Sequence, residues 1–412
     1  MHQHDERALD ALRTLLRASH LSGPSDLPEM VDRVAGILGG DEARLLLVDY
    51  DQVWLVPITG ALPEVDHGDA ILIDGTVPGL VFSDIRQHAS VAGDVTTLWS
   101  PVLNGTERLG VLSLRLPPGQ EAGPELRQDV LDVAALLAEI VLTRAQYGDA
   151  VERTRRRGDL SVAAELQWGL LPPLTFVSRD VSIAGVLSPA TEVAGDSFDY
   201  AANGETMHVS LLDAMGHGLE ATLLAAVAMS VLRNARRSGR GLTETVLAMD
   251  TAIAAQFGPD KFLTGIVGEL RVSTGRWSWV TCGHPPALLL RGGQVVKQLD
   301  SVVGVPIGLG MFEGLPTVSH ERLQPGDRLI LHTDGVTEAR NEQGQFFGDE
   351  RLRGFLTREA ADNRPVAETL RRLNHAVLRH QHGRLQDDAT TVILEWRGPE
   401  AQRVTESATV RT

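Results

Sequence analysis

The stretch Val193–Gly218, VAGDSFDYAANGETMHVSLLDAMGHG, constrains the fold more than any other segment. Asn203-Gly204 separates VAGDSFDYA from Met207–Leu212, a run of mostly apolar, β-prone residues. Asn-Gly between apolar runs predicts a β-hairpin, because both turn residues must take positive φ. With Asn203 and Gly204 as the loop, Asp196 faces Leu211 and Asp213 faces Ala194. The two acids are then diagonal neighbours on one face, with Cβ atoms roughly 7 Å apart. Asp199, at odd spacing from Asp196, is expected on the opposite face. Gly195, Ala214 and Gly216 keep bulk away from both acids, so a carbonyl or phosphate can approach. Carboxylates converging like this can share two cations about 3.5–4 Å apart. The plainer alternative is that aspartate simply favours turns.

At 412 residues, 43% apolar and 22% charged, the chain has room for two or three domains with real cores. The opening MHQHDERALD has no basic stretch followed by an apolar run, so no signal peptide is expected. The best apolar run, Val133–Leu142, is interrupted by Glu139 and is too short to span a membrane. A cytoplasmic protein with no membrane association is the expectation. The single cysteine, Cys282, excludes an internal disulfide and any Cys-rich metal site. A net charge of −16 argues against a general nucleic-acid surface.

Residues 7–19 and 27–38 read as amphipathic helices on either side of Gly23-Pro24-Ser25. Short strands follow at Ala43–Val48, Val53–Pro57, Ile71–Ile73, Thr97–Val102 and Gly110–Leu116. Helices flanking a five- or six-stranded antiparallel sheet resemble a GAF sensor domain, assigned to residues 1–123. Its signal, a small molecule or a protein, is not indicated by any residue set. A bilin linked through a local cysteine is excluded, and His67 and His88 read as loop residues.

Residues 124–172 read as a helical linker. Leu126, Val130, Val133, Leu137, Ile140, Tyr147 and Val151 recur at spacings of 4 and 3, broken only by Arg144. That period of 3.5 fits a coiled-coil homodimer, or a helix packed on its own sheet. An Arg-rich joint, Arg153–Arg157, precedes a short helix, Ser161–Leu171, which Pro172-Pro173 ends. Its apolar side, Val162, Leu166 and Leu170, is expected to seat or unseat as a switch.

Residues 173–397 are expected to hold the hairpin, two helices (Leu219–Arg237 and Leu242–Gln256), a β-meander, a closing helix (Val366–His380) and a last strand (Ala389–Trp396). Residues 398–412 are polar, and disorder is expected there. Segregated strands and helices indicate an α+β class with two sheets and helices outside. Asp334 before Gly335, and Asp387 before the last strand, repeat the setting of an acid at a strand end. Four carboxylates without His or Cys favour Mg²⁺ or Mn²⁺ over zinc. His217 and His284 are read as hydrogen-bonding groups.

VAGDSFDY, LLDAMGHG, TCGHPPALLL, GVPIGL, LILHTDGVTEARN, FGDERL and DDATTVIL occur in order over residues 193–394. Together they resemble the SpoIIE/RsbU-type bacterial phosphatases, a branch of the PPM (protein phosphatase 2C-like) family. The resemblance implies an α-β-β-α sandwich with a dinuclear Mn²⁺/Mg²⁺ centre. Asp196 matches the acid of the family's GGD motif and Asp213 the acid bridging both metals. The Ala214 carbonyl matches a backbone ligand, Asp334 and Asp387 match the remaining metal acids, and Asp388 matches a neighbouring position outside the ligand set. Gly195 and His217 are assigned beside it. Ala194 replaces the first glycine of GGD, and Ser197 stands where an aromatic is usual. The implied chemistry is in-line attack on phosphorus by a water the cations acidify, without a phospho-enzyme. The implied substrate is a phosphorylated STAS-type anti-sigma-factor antagonist in a partner-switching pathway. A non-catalytic signalling module and a small-molecule phosphoesterase are the alternatives.

Overall fold

The computed structural model describes the chain apart from residues 1, 60–68, 157, 159, 189–194, 303, 383–386 and 400–412, together with the side chains of residues 2–6. Ala194, His67 and most of the expected disordered tail therefore lie outside the described residues. Two compact units divide between Asp159 and Leu160. No helix among the described residues is long and apolar enough to cross a membrane.

The first unit runs α1 (His2–Ser19), α2 (Leu27–Leu38), β1 (Glu42–Val48), β2 (Trp54–Pro57), β3 (Ile71–Leu72), α3 (Val77–Asp84), β4 (His88–Ala92), β5 (Val95–Asn104), β6 (Glu107–Arg115), α4 (Pro124–Ala145) and α5 (Ala150–Arg155). Its six-stranded sheet, ordered β3-β2-β1-β6-β5-β4, is antiparallel throughout. Alternation along the strands divides the core between two faces. Leu45 and Leu47 turn toward α1, α2 and α4, while Leu46 and Val48 turn toward Val81 and Phe82 of α3. His88 lies in edge strand β4, not in a loop.

The 3.5-residue stripe of α4 serves this core. Val130, Val133 and Leu137 are fully buried among α1, α2 and the sheet, and Ile140 nearly so. The coiled-coil dimer expected through these side chains would have to remove them from that core. Only Tyr147 of the stripe is well exposed, at 72%. The linker reading is corrected in the same way: α4 and α5 belong to the first unit, and the next helix belongs to the second.

The second unit runs α6 (Val162–Leu170), β7 (Thr175–Val177), β8 (Val181–Ser188), β9 (Asp196–Asn203), β10 (Thr206–Ala214), α7 (Gly218–Arg237), α8 (Leu242–Phe257), β11 (Leu263–Arg271), β12 (Arg276–Cys282), β13 (Leu288–Arg291), β14 (Gln294–Gln298), β15 (Ser319–Arg322), β16 (Asp327–His332), α9 (Asp334–Thr337), α10 (Gly348–Ala361), α11 (Val366–His380) and β17 (Ala389–Trp396). A five-stranded sheet, β15-β12-β11-β10-β9, faces a six-stranded one, β14-β13-β16-β17-β8-β7. Phe198, Leu211, Ile266, Trp277, Leu329 and Val392 fill the space between them. Leu224, Ala228 and Met249 of α7 and α8 cover the first sheet from outside. Leu352, Leu370 and Leu373 of α10 and α11 cover the second. The unit is thus an α-β-β-α sandwich of the α+β class.

Candidate metal centre

The hairpin forms as β9 and β10, but with its register displaced by two residues. Asn203 pairs with Thr206, so the turn is Gly204-Glu205 and Asp213 sits directly opposite Asp196. Gly204 takes φ 59°, while Asn203 and Glu205 are not among the residues with positive φ. A glycine at the first central position is the type II′ arrangement, which leaves Asn203 in the strand. A two-residue displacement preserves which face each side chain takes. It also brings the Asp196 and Asp213 Cβ atoms closer than the diagonal reading, to about 4.5–5.5 Å.

Both acids point into the space between the sheets, as their neighbours Phe198 and Leu211 do. Asp199 takes the other face, where it binds Arg233 and Arg236 of α7 and is only 2% exposed. Asp334 begins α9 two residues after His332 closes β16, and Asp387 stands two residues before the start of β17, which pairs with β16. Two glycines fix this meeting point. A Cβ on Gly195 would stand 2.6 Å from the Ala214 carbonyl oxygen, and one on Gly335 only 1.9 Å from the Asp388 carbonyl oxygen.

Asp388, 3% exposed, holds the floor together. Its Oδ2 accepts from the Gly195 amide at 2.9 Å, the Asp196 amide at 3.3 Å and Gln167 Nε2 at 2.9 Å. Gln167 Nε2 also donates to the Asp196 carbonyl at 2.8 Å. Thr333 Oγ1 donates to Asp196 Oδ2 at 2.8 Å and accepts from the Thr390 amide at 3.1 Å. Gln167 and Thr333 were not singled out from the sequence. A lone amide among Ala163, Ala164 and Gly169 was the available signal for Gln167, and a hydroxyl between a strand end and Asp334 for Thr333.

The α6 helix seats on a face rotated from the one expected. Ala163, Ala164 and Gln167 are buried, Val162 is 72% exposed, and Leu166 and Leu170 are half-buried. Small residues let the helix approach α7 closely, and the buried acceptors on Asp196 and Asp388 require a donor on that face. Arg233 Nη2 adds a bond to the Leu170 carbonyl at the helix end. His217 is exposed at the N-cap of α7, with no side-chain cap bond. His284 Nδ1 lies 2.9 Å from Thr264 Oγ1 and its Nε2 3.2 Å from the His332 carbonyl. Burial first, and neighbouring His332 second, push its pKa down to about 3.

The carboxylates feel one another strongly. Burial, followed by repulsion from Asp334, Asp387 and Asp388, raises Asp213 to about 7. Burial, then Asp213 and Asp388, hold Asp196 well above the usual carboxylate range. Asp387 is raised too, chiefly by burial and also by Asp334. Concentrated negative charge, an all-oxygen donor set and a carbonyl left uncovered by Gly195 fit hard divalent cations. Among the described residues, no three acidic, His or Cys side chains already close on one point.

The family described as Stage II sporulation protein E (SpoIIE) matches residues 203–397, a span that includes Asp213, Asp334 and Asp387 and begins just after Asp196. The phosphoserine phosphatase RsbU of Bacillus subtilis is 21% identical over 298 residues, covering 69% of this chain and 85% of that protein. The phosphoserine phosphatase RsbP of the same organism is 27% identical over 186 residues, 44% of this chain. The chain spans only 45% of RsbP. The solved RsbU and RsbW domains of a Mycobacterium tuberculosis protein superpose with a TM-score of 0.46 at 28% identity, over 53% of this chain and 62% of that one. Residues 203–397 of the second unit thus match the SpoIIE family, and the chain is similar to the phosphoserine phosphatases RsbU and RsbP.

Proposed function

We propose that the second unit hydrolyses a phosphoserine or phosphothreonine on a STAS-type anti-sigma-factor antagonist, with Asp196, Asp213, Asp334, Asp387 and the Ala214 carbonyl holding two Mn²⁺ or Mg²⁺ ions. The observation carrying this reading is the direct opposition of Asp196 and Asp213 in a cleft that Asp334 and Asp387 also influence. Bound there, the cations would supply an acidified water and neutralise charge developing on phosphorus. The protein's own part is positional. Asp213 gives up its proton to bind cation, Thr333 orients Asp196, and Asp388 pins the backbone of residues 195–196 through its carboxylate.

Regulation is assigned to the first unit, whose antiparallel sheet with helices on both faces supports a GAF-like reading. The switch is assigned to α6. Gln167 contacts both the Asp196 carbonyl and Asp388, so unseating the helix would release both sides of the floor at once.

Phosphate release from a phosphorylated STAS protein, compared with p-nitrophenyl phosphate and with a free phosphorylated metabolite, tests the substrate assignment. A clear preference in kcat/KM for the phosphoprotein is expected. Equal or better turnover of the metabolite would instead make this a small-molecule phosphoesterase.

A further inference from the structure

At the far end of the five-stranded sheet, the strands set three arginines side by side. Arg271 of β11 pairs across to Arg276 of β12, and Arg276 pairs across to Arg322 of edge strand β15. Thr206 of β10 begins the same row. Adjacent strands lie about 4.8 Å apart, so the three guanidiniums originate from a line roughly 10 Å long. Like charges directly opposite one another on a sheet are destabilising. Among the described residues no carboxylate forms an ion pair with any of the three, although the chain as a whole carries a net charge of −16.

The next row inward is polar: Glu269, Ser278 and His320. Ser278 Oγ lies 2.9 Å from His320 Nδ1, and Arg276 Nη2 lies 3.3 Å from His320 Nε2, which ties the ring to the arginine row. Both rows share the face that α7 and α8 cover farther along the sheet, and Leu242 and Thr243 of α8 form the rim. The resulting cavity measures about 910 Å³, within the range of small-molecule sites. Seven residue steps along β10 separate its Thr206 end from Asp213, roughly 23 Å. Its face is opposite the one carrying Asp196 and Asp213.

We propose that this cavity binds a linear polyphosphate group, with Arg271, Arg276 and Arg322 gripping successive phosphates. Each guanidinium forks onto phosphate oxygens, and a ligand with several linked charges relieves both repulsions together. No Phe, Tyr or Trp side chain lines the cavity, and the His320 ring is already held by Ser278 and Arg276, so the phosphate chain and not a base is the group recognised. Glu269, which forms no ion pair among the described residues, disfavours ligands whose charge extends inward.

The test is calorimetric titration of sodium tripolyphosphate into the full chain with metals chelated, which keeps the carboxylate centre out of the reading. One saturable site is expected, at least tenfold tighter than orthophosphate. Arg276→Ala with Arg322→Ala should weaken it at least tenfold, and Asp213→Asn should leave it unchanged. If the double variant does not fold, Arg322→Gln on the exposed edge strand serves, with a severalfold loss expected. Absent saturable binding, undiminished binding in the arginine variant, or loss in Asp213→Asn would each overturn the proposal. So would poly-glutamate binding at these arginines where tripolyphosphate does not, which would make the groove a dock for an acidic protein segment.

Discussion

Asp213 gives the most quantitative expectation. In the metal-free protein its carboxyl is raised from an ordinary 3.8 to about 7, by burial first and by Asp334, Asp387 and Asp388 after it. A carboxyl raised in the folded state binds its proton more tightly there than in the unfolded chain. Its contribution to stability is therefore fully present below about pH 4 and is lost as pH rises toward 7. The shift corresponds to roughly 4 kcal/mol at most, at 1.36 kcal/mol per pH unit. Solvent screening of this half-buried group brings the expected loss to roughly half of that. For a unit of this size the change is about 4–8 °C in Tm. Asp213→Asn removes the penalty. Melting in chelator from pH 5 to pH 8 should thus show the wild type losing stability while the variant's curve stays flatter, so that the variant is the more stable at pH 8. Millimolar Mn²⁺ at pH 8 should restore the wild type and leave the variant unmoved. If the metal-free wild type gains stability over that range relative to the variant, the carboxylates do not repel one another as argued.

Three further substitutions separate positioning from packing. Gln167→Ala removes donors to the Asp196 carbonyl and to Asp388, a loss of about 1–3 kcal/mol, and should change the phosphatase rate per folded molecule more than Leu166→Ala does; a matched melting and rate series reads this out, and equal rates would reduce α6 to packing. Asp199→Asn strands Arg233 and Arg236 on the helical side, so up to about 3 kcal/mol of stability should go while Mn²⁺ affinity holds, checked by denaturant titration beside metal titration. Gly335→Ala places a methyl group 1.9 Å from the Asp388 carbonyl oxygen and should yield little folded protein on expression, whereas Gly36→Ala, in helix α2 with open space around it and no positive φ, should fold.

Much of this fold was legible because its signals are local. Asn203-Gly204 announced the hairpin, and alternation placed Asp196 and Asp213 together and Asp199 on the opposite face, since that assignment survives a two-residue displacement. The displacement itself depended on which turn residue would accept positive φ, and only Gly204 does. The α4 stripe shows a different limit. A 3.5-residue period states that one side is buried but not what buries it, and here α1, α2 and the sheet do so. The burial of α6 was misread for a related reason. Its large apolar side chains drew attention, yet the docked face is set by two alanines and by acceptors some 29 and 221 residues away in the chain. Strand β8, buried at every position, lacks the alternation that marks a half-exposed strand and went unrecognised. The arginine row exists only through the pairing of three strands, and no stretch of sequence displays it.

Phosphate release by the full chain, with and without chelator and upon return of Mn²⁺, set beside Asp213→Asn under the same conditions, is the most direct test of the carboxylate centre. The wild type should lose turnover with chelator and recover it with Mn²⁺, while Asp213→Asn, folded by its melting curve, stays inactive throughout. Full hydrolysis persisting in chelator, or an Asp213→Asn variant that turns over like the wild type, would contradict the assignment.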